Sequence, residues 1–343
     1  MKICVIGAGA IGGLMGAKLA LSGQEVTLID QGAHLAAIKE NGLKLVMEDG
    51  AELLAKDLKA TDSFDEAGTQ DMVILALKAH QIEPVASQLP ALFGPETIVV
   101  TVQNGIPWWY FQKHGGEFDG RRLETLDPTG VIEANIEVDR IIGCIAYPAT
   151  AVIAPGVVLH VEGDRFPVGE LDGSESNRVK TLSETLIDAG FRSRVLDDIR
   201  SEIWLKAWGN LSFNPLSALT HGTLVDICRF PQTRELAANM MKEAQDMAYK
   251  LGIEFRHTIE RRIEGAEAVG SHKTSMLQDV EAGRSLEIEA LIGAVIELGR
   301  LTQSPTPAID TVYACVKLLD KTVAQEGALC RPKNSFRTDI LGI

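Results

Sequence analysis

Three polar residues recur at every fourth position of an otherwise apolar segment, SEIWLKAWGNLSFNPLSAL. Lys206, Asn210 and Asn214 stand at i, i+4 and i+8, so a helix over this segment places them on one face. A protonated amine can stabilise negative charge and donate a proton, and asparagine donates and accepts hydrogen bonds without adding charge. A single lysine on an apolar helix usually extends to water, but two asparagines beside it favour a polar cleft. Pro215 can kink the helix here and would then move Asn214 off that face.

A second group of polar residues lies in the segment HKTSMLQDVEAGRSLEIEALIG. Its candidates are Ser275, Glu287 and Glu289. Ser275 either faces a cleft or caps a helix, and the two glutamates either face a cleft or are solvated surface carboxylates. The sequence pattern leaves these alternatives open.

The segment Met1–Asp30 contains a separate candidate site, in which a cofactor could bind. Lys2–Ile6 is typical of a buried parallel strand. Three glycines in the pattern GxGxxG follow it, and after them come a helical pattern and a second β-type run, Glu25–Ile29. In this context GxGxxG indicates a dinucleotide-binding turn, with the pyrophosphate at the helix N-terminus. The three glycines serve a tight turn, the approach of the phosphate, and close packing of helix on strand. The predicted cofactor-binding residues of this turn are Gly7, Ala8, Gly9, Ala10, Ile11 and Gly12.

Polar residues also follow the predicted strands. Asp30 and Gln31 end the second strand, where a carboxylate accepts hydrogen bonds from ribose hydroxyls and repels a 2′-phosphate, which favours NADH. Lys78 ends the strand predicted over Asp71–Lys78 and could reach the cofactor or an anionic substrate, or is a solvated strand end. Asn104 follows the next strand and could have a similar role, or forms a turn with Gly105.

The remaining patterns predict an α/β fold, with a doubly wound parallel sheet of the Rossmann type in the N-terminal part. From about residue 197 the apolar spacing becomes helical and no further strand is predicted. We expect a dinucleotide-binding domain over residues 1–196 and an all-helical domain over 197–343, with the substrate between them. The other predicted elements are helices over 31–41, 82–92 and 176–189, and strands over 43–47, 52–58, 97–103, 133–149 and 156–160.

Composition narrows the class of partner. The net charge of −14 argues against nucleic acid or an anionic membrane, but not against a small anionic substrate. The five cysteines are scattered, as expected for reduced thiols, and with the dispersed histidines they predict no metal site. No run is long enough to cross a bilayer, and Lys18 interrupts the only stretch that resembles a signal peptide. We therefore expect a cytoplasmic protein.

Taken together, these segments resemble the ketopantoate reductases (2-dehydropantoate 2-reductases). The resemblance rests on GAGAIG, LALK, VQNG, KAWGNLSFNPLSAL and SMLQDVEAGRSLEIEAL, which follow in the family's order over nearly the whole chain. It implies NADPH-dependent reduction of 2-dehydropantoate to (R)-pantoate in pantothenate biosynthesis, and a homodimer formed through the helical domain.

The resemblance also implies roles for single residues. Lys206 would be the proton donor, and Glu287 would act in the same cleft, holding the lysine ammonium or accepting a substrate hydroxyl, and contact the cofactor. The implied substrate ligands are Asn104, Asn210, Asn214 and Ser275; Asn104 would also contact the cofactor, and Lys78 would lie beside it.

Two departures from the family pattern leave alternatives open. Many members carry an arginine after the second strand, where Asp30 and Gln31 stand here, so either NADPH or NADH is possible. The aromatic run Trp108–Phe111 could wall an apolar pocket or anchor a long loop. An NADH-dependent reductase of another branched or aromatic 2-oxo acid is the alternative within enzymes, and a non-catalytic NAD(P) sensor is the alternative outside them.

Overall fold

The computed structural model describes residues 1–327, which form two compact units, Met1–Trp204 and a second that begins at Leu205. The predictions for residues 328–343, including the reduced thiol of Cys330, lie outside the described residues. The strands are β1 (Lys2–Ile6), β2 (Glu25–Ile29), β3 (Leu43–Val46), β4 (Glu52–Ala55), β5 (Leu58–Thr61), β6 (Gln70–Leu75), β7 (Phe93–Thr101), β8 (Ile141–Cys144), β9 (Ala149–Ala154), β10 (Val157–Glu162) and β11 (Val168–Glu170).

The larger sheet of the first unit has the strand order β11-β8-β7-β6-β1-β2-β5. All neighbours are parallel except β11 on β8. The chain leaves β1 for β2 and β5 on one side and returns through β6, β7 and β8 on the other. This is the doubly wound order, and its switch point lies at β1, where ligands of such sheets bind at the carboxyl ends of the strands. The predicted α/β fold is confirmed.

Helices cover this sheet and make up the second unit. They are α1 (Ala10–Leu21), α2 (Gly32–Asn41), α3 (Phe64–Ala67), α4 (Val131–Asn135), α5 (Asn177–Asp188), α6 (Ile199–Thr220), α7 (Leu224–Arg229), α8 (Pro231–Lys250), α9 (Ile259–Val269), α10 (Ser275–Glu281), α11 (Ala294–Leu301) and α12 (Pro307–Glu326). Among residues 1–327, no helix is long and apolar enough to cross a membrane.

A smaller sheet, β4-β3-β10-β9, packs on α1. The contact is close, because a Cβ added at Gly13 would lie 2.9 Å from Val158 Cγ2. The single strand predicted over 52–58 is therefore wrong. The strand ends at Ala55 as β4 of the smaller sheet, and Leu58 already begins β5, which belongs to the larger sheet.

The β-type run predicted over 133–149 is also wrong at its start. Residues 131–135 form the short helix α4, whose first turn is held by a fully buried carboxylate. Asp127 accepts hydrogen bonds from the backbone N–H groups of Ile132 at 3.1 Å and Glu133 at 2.9 Å. This cap satisfies helix N–H groups and outweighs the local preference of β-branched residues for strands.

In the second unit, α8 is the central helix. It buries a methionine- and alanine-rich face, and the indole of Trp208 on α6 donates to Met241 O at 2.7 Å. Glu243 on α8 accepts from the N–H groups of Ala308 and Ile309 at the start of α12, at 2.9 and 3.0 Å. Helix α6 continues through Pro215 to Thr220, so the proline does not end the helix.

Candidate active site

The glycine turn follows β1 at the switch point. Gly7 has φ +89°, a conformation that favours glycine, and its N–H donates to Ile29 O at the end of β2 at 2.8 Å. A Cβ here would lie 2.9 Å from Leu77 Cδ2 and 3.1 Å from Ala76 O. The segment after β6 therefore borders the turn directly.

The other two glycines of the turn have opposite surroundings. A Cβ added at Gly12 would lie 1.9 Å from Gly7 O, whereas a Cβ at Gly9 would meet no atom within 4 Å. Gly12 thus serves the packing of α1 on β1, and Gly9 leaves open space beside the backbone. Within residues 1–327, no side chain caps α1 at Gly9 and no acidic residue stands in its first turn. The arrangement fits a dinucleotide pyrophosphate, which binds unpaired N–H groups at a helix N-terminus.

Asp30 and Gln31 lie directly after β2. The Asp30 carboxylate is half-exposed, and its Oδ1 accepts from the Gln31 N–H at 2.7 Å. The Asp30 N–H donates to Thr61 O at 3.1 Å, which holds this tip against β5. One carboxylate oxygen is thereby oriented by the backbone, in a place suited to ribose hydroxyls.

Lys78 and Asn104 occupy the same sheet edge as the glycine turn. The strand predicted to end on Lys78 stops at Leu75, and Lys78 begins a 3₁₀ turn, Ala79–Gln81, in which its N–H donates to Gln81 Oε1 at 3.0 Å. Asn104 is half-buried beyond the end of β7. Lys78 therefore follows the strand that pairs with β1, and Asn104 follows the strand one position further from the switch point.

Gln103 joins these two segments, a role that the sequence interpretation missed. Its Nε2 donates to Leu75 O at 2.5 Å and to Leu77 O at 3.3 Å, which ties the end of β7 to the segment beside Gly7. Among the described residues, its buried Oε1 has no hydrogen-bond partner. Gln103 ends the strand predicted over 97–103, and a glutamine at that position is the signal that could have indicated this contact.

The polar face of α6 is built within the second unit. Lys206 and Asn210 are half-buried and Asn214 is buried. Asn214 Nδ2 donates to Ser275 Oγ at 3.4 Å, so two of the three segments that supply the predicted substrate ligands meet. Ser275 is exposed and is not the helix cap, because Thr274 accepts from the Leu277 N–H at the start of α10.

The two glutamates after α10 differ in their surroundings. Glu289 accepts from the Tyr313 hydroxyl at 3.2 Å and from Lys317 Nζ at 2.7 Å, both on α12, and this hydrogen bond raises the pKa of Lys317. Glu289 therefore ties two helical segments together. Glu287 is half-buried and stands just before a π-helical turn, Glu289–Gly293. Such turns recur at functional sites.

The aromatic run Trp108–Phe111 is buried in the first unit. Trp109 Nε1 donates to Thr101 Oγ1 at 3.0 Å, and the Tyr110 hydroxyl accepts from Trp204 Nε1 at 2.7 Å. Burial raises the pKa of Tyr110, so it stays protonated. The buried guanidinium of Arg200 donates to Tyr110 O at 2.8 Å. These contacts support the interpretation in which the run anchors a long loop.

Two other features concern metals and thiols. Among residues 1–327, no group of three or more His, Cys, Asp or Glu side chains could hold a metal ion. Burial raises the pKa of the Cys4 thiol to about 12, so at neutral pH it is protonated and acts as a small apolar residue of β1.

A doubly wound sheet with an open glycine turn at its switch point defines a dinucleotide-binding protein. The sequence profile described as Ketopantoate reductase PanE/ApbA matches residues 3–114, and its C-terminal profile matches residues 198–320. The 2-dehydropantoate 2-reductase of Mesorhizobium japonicum is 53% identical over 93% of this chain and 98% of that enzyme. The chain belongs to the ketopantoate reductase family.

Solved structures agree with this assignment. A protein from Ralstonia solanacearum MolK2, solved as a candidate ketopantoate reductase, is 36% identical with a TM-score of 0.90, over 96% of this chain and 99% of that one. A D-mandelate dehydrogenase in a ternary structure with NADH and anilino(oxo)acetate is 25% identical with a TM-score of 0.80, over 94% and 99% of the two chains.

Proposed function

We propose that this chain reduces 2-dehydropantoate to (R)-pantoate with a nicotinamide dinucleotide, in pantothenate biosynthesis. The observation that carries the proposal is the 53% identity to the Mesorhizobium japonicum enzyme over nearly the whole of both chains. The open glycine turn and the Lys206–Asn210–Asn214 face supply the group types that the reaction needs.

In the proposed mechanism, the bound cofactor supplies a hydride to the C2 carbonyl carbon. Lys206 stabilises the negative charge that develops on the carbonyl oxygen and donates a proton to it. Glu287 holds the lysine ammonium or accepts a substrate hydroxyl. Asn210, Asn214 and Ser275 bind the substrate, and their hydrogen bonds orient it without adding charge.

The cofactor ligands proposed in the first unit are the residues of the glycine turn, Asp30 and Gln31, with Lys78 beside the cofactor and Asn104 in contact with both ligands. Glu287 completes the cofactor contacts. We propose that residues 1–196 bind the dinucleotide and that residues 197–343 bind the substrate and form a homodimer in the cytoplasm.

Cofactor oxidation by a panel of 2-oxo acids tests the reaction. The panel contains 2-dehydropantoate, pyruvate and phenylglyoxylate, each with NADH and with NADPH. We expect kcat/KM to be about 100-fold higher for 2-dehydropantoate, because a pocket that binds its hydroxyl and methyl groups loses those contacts with the simpler acids. A preference for phenylglyoxylate would indicate a dehydrogenase of aromatic hydroxy acids. A chain that binds the dinucleotide but oxidises it with none of the acids would be a sensor.

The charge of Asp30 leads to a prediction about whether the chain prefers NADH or NADPH. Its carboxylate would repel a 2′-phosphate, so we expect the wild-type chain to favour NADH over NADPH in kcat/KM by about tenfold. Asp30→Asn keeps the size of the side chain and removes the charge, and we expect it to abolish most of this preference. Asp188→Asn, the same change at an exposed position of α5, is the control. A strong NADPH preference in the wild-type chain would mean that Asp30 does not face the ribose.

A further inference from the structure

His34 links the glycine turn to the smaller sheet. It lies in the first turn of α2, half-buried, with Nε2 2.8 Å from Ala8 O. On the other side of the ring, Nδ1 accepts a hydrogen bond from the Gly156 N–H at 3.0 Å. Gly156 lies between β9 and β10, and its carbonyl accepts from the Lys44 N–H of β3 at 2.9 Å.

The two partners assign the tautomer of the ring. Nδ1 accepts a hydrogen bond and therefore carries no proton, so the neutral ring has its proton on Nε2, which donates to Ala8 O. A neutral imidazole can satisfy a backbone donor and a backbone acceptor at once. His34 does this between two segments that are distant in sequence.

The hydrogen bond to Ala8 bears on the place where the pyrophosphate is expected. The Ala8 carbonyl and the Gly9 N–H belong to one planar peptide unit and point in opposite directions. A donor that holds the Ala8 carbonyl therefore also fixes the direction of the Gly9 N–H. Gly9 is the residue with open space around its Cα, and its carbonyl accepts from the Gly13 N–H at 2.7 Å as α1 begins.

We propose that His34 is a positioning residue for the dinucleotide: it holds the peptide unit between Ala8 and Gly9 against the β9–β10 turn, ready for the pyrophosphate. This inference rests on the dinucleotide binding of the proposed function. It assigns His34 no contact with the reacting atoms. The loss of its hydrogen bond to Ala8 therefore weakens cofactor binding and leaves the chemical step unchanged.

Two substitutions separate the two hydrogen bonds. In His34→Gln, the side-chain Nε2 can take the place of the imidazole Nε2 and keep the donor to Ala8. In His34→Asn, Oδ1 can take the place of Nδ1 and keep the acceptor for Gly156, but no donor reaches Ala8. His257→Asn, the same change at an exposed histidine, is the matched control.

The experiment measures the Kd of NADH and NADPH for the purified full chain by fluorescence titration, together with cofactor KM, kcat and Tm. We expect His34→Asn to raise Kd and cofactor KM about tenfold with kcat within about twofold of wild type, and His34→Gln to bind within about twofold of wild type. Equal Kd values for the Asn, Gln and wild-type chains would overturn the inference, as would weaker binding by Gln and Asn alike in step with a lower Tm.

Two further outcomes are also decisive. If His34→Asn does not fold, the folded Gln variant carries the test, and a Kd about tenfold above wild type in that variant rejects the role of the Ala8 hydrogen bond. If the wild-type chain binds neither dinucleotide, the proposed function fails, which is distinguishable from a failure of the role of His34.

Discussion

Replacement of Lys206 by alanine is expected to lower kcat about 1000-fold while the Kd of the dinucleotide stays within about twofold. The reason is that the proposed mechanism assigns to this amine both the stabilisation of the carbonyl oxygen and the transfer of the proton. Each is worth about 100-fold or more alone, and because one group makes both at the same oxygen, the two losses overlap and do not multiply in full. The glycine turn that binds the cofactor is formed by other residues, so binding should be retained. Steady-state kinetics with 2-dehydropantoate and a direct titration of the dinucleotide measure the two effects.

Two variants control for charge and for a general effect of lysine removal. Lys206→Arg keeps a positive charge but cannot give up a proton at neutral pH, so we expect it to recover only a part of the lost rate. Lys242→Ala removes an exposed lysine of α8 that pairs with Asp246 and should leave kcat unchanged. Near-wild-type turnover in Lys206→Ala would remove this residue from the mechanism.

Gly9→Ala and Gly12→Ala are expected to differ in their effects on stability, although both weaken dinucleotide binding. At Gly12, the new Cβ would lie 1.9 Å from Gly7 O and 2.8 Å from Ala76 Cβ, so α1 must move away from β1. We expect the free energy of unfolding to fall by about 3 kcal/mol and dinucleotide binding to be lost. At Gly9, the Cβ meets no atom of the chain, and the only demand on alanine is the backbone ψ of −153°, which lies just beyond the extended region of L-residues. We expect a much smaller loss of stability than at Gly12 and a Kd raised about 100-fold, because the methyl group takes the space of the pyrophosphate.

Denaturant unfolding and dinucleotide titration on the same preparations measure this difference. Gly265→Ala is the matched control, because Gly265 lies within α9 with open space at its Cβ, and alanine there should be neutral or stabilising by about 1 kcal/mol. A Gly9→Ala chain that binds the dinucleotide as tightly as wild type would mean that the phosphates do not approach the backbone at this residue.

The parts of the fold that could be predicted from sequence are those in which local pattern and tertiary structure agree. The glycine turn was predictable because each glycine meets a separate steric requirement. The structure shows crowding at the Cβ position of Gly12 and open space at that of Gly9. The face that Lys206 shares with Asn210 follows from helical spacing alone. The contact of Asn214 with Ser275 joins segments far apart in sequence and was not predicted; the family resemblance implied only that both residues bind the substrate.

The errors arise where a distant contact decides the local structure. Residues 131–135 form a helix because the buried Asp127 carboxylate caps it, and β4 and β5 separate because their partners lie in different sheets. The hydrogen bonds of Gln103 and His34 were not predicted from the sequence, for the same reason. Each bonds to backbone groups of another segment, and no periodicity in the sequence marks such a contact.

A crystal structure of the ternary complex with oxidised cofactor and pantoate tests the proposed mechanism at its reacting atoms. We expect Nζ of Lys206 to lie about 3 Å from the C2 hydroxyl oxygen of pantoate, with the nicotinamide and Asn104 beside the same oxygen. If the amine of residue 206 points away from that oxygen and another proton donor takes its place, the mechanism proposed for Lys206 is wrong.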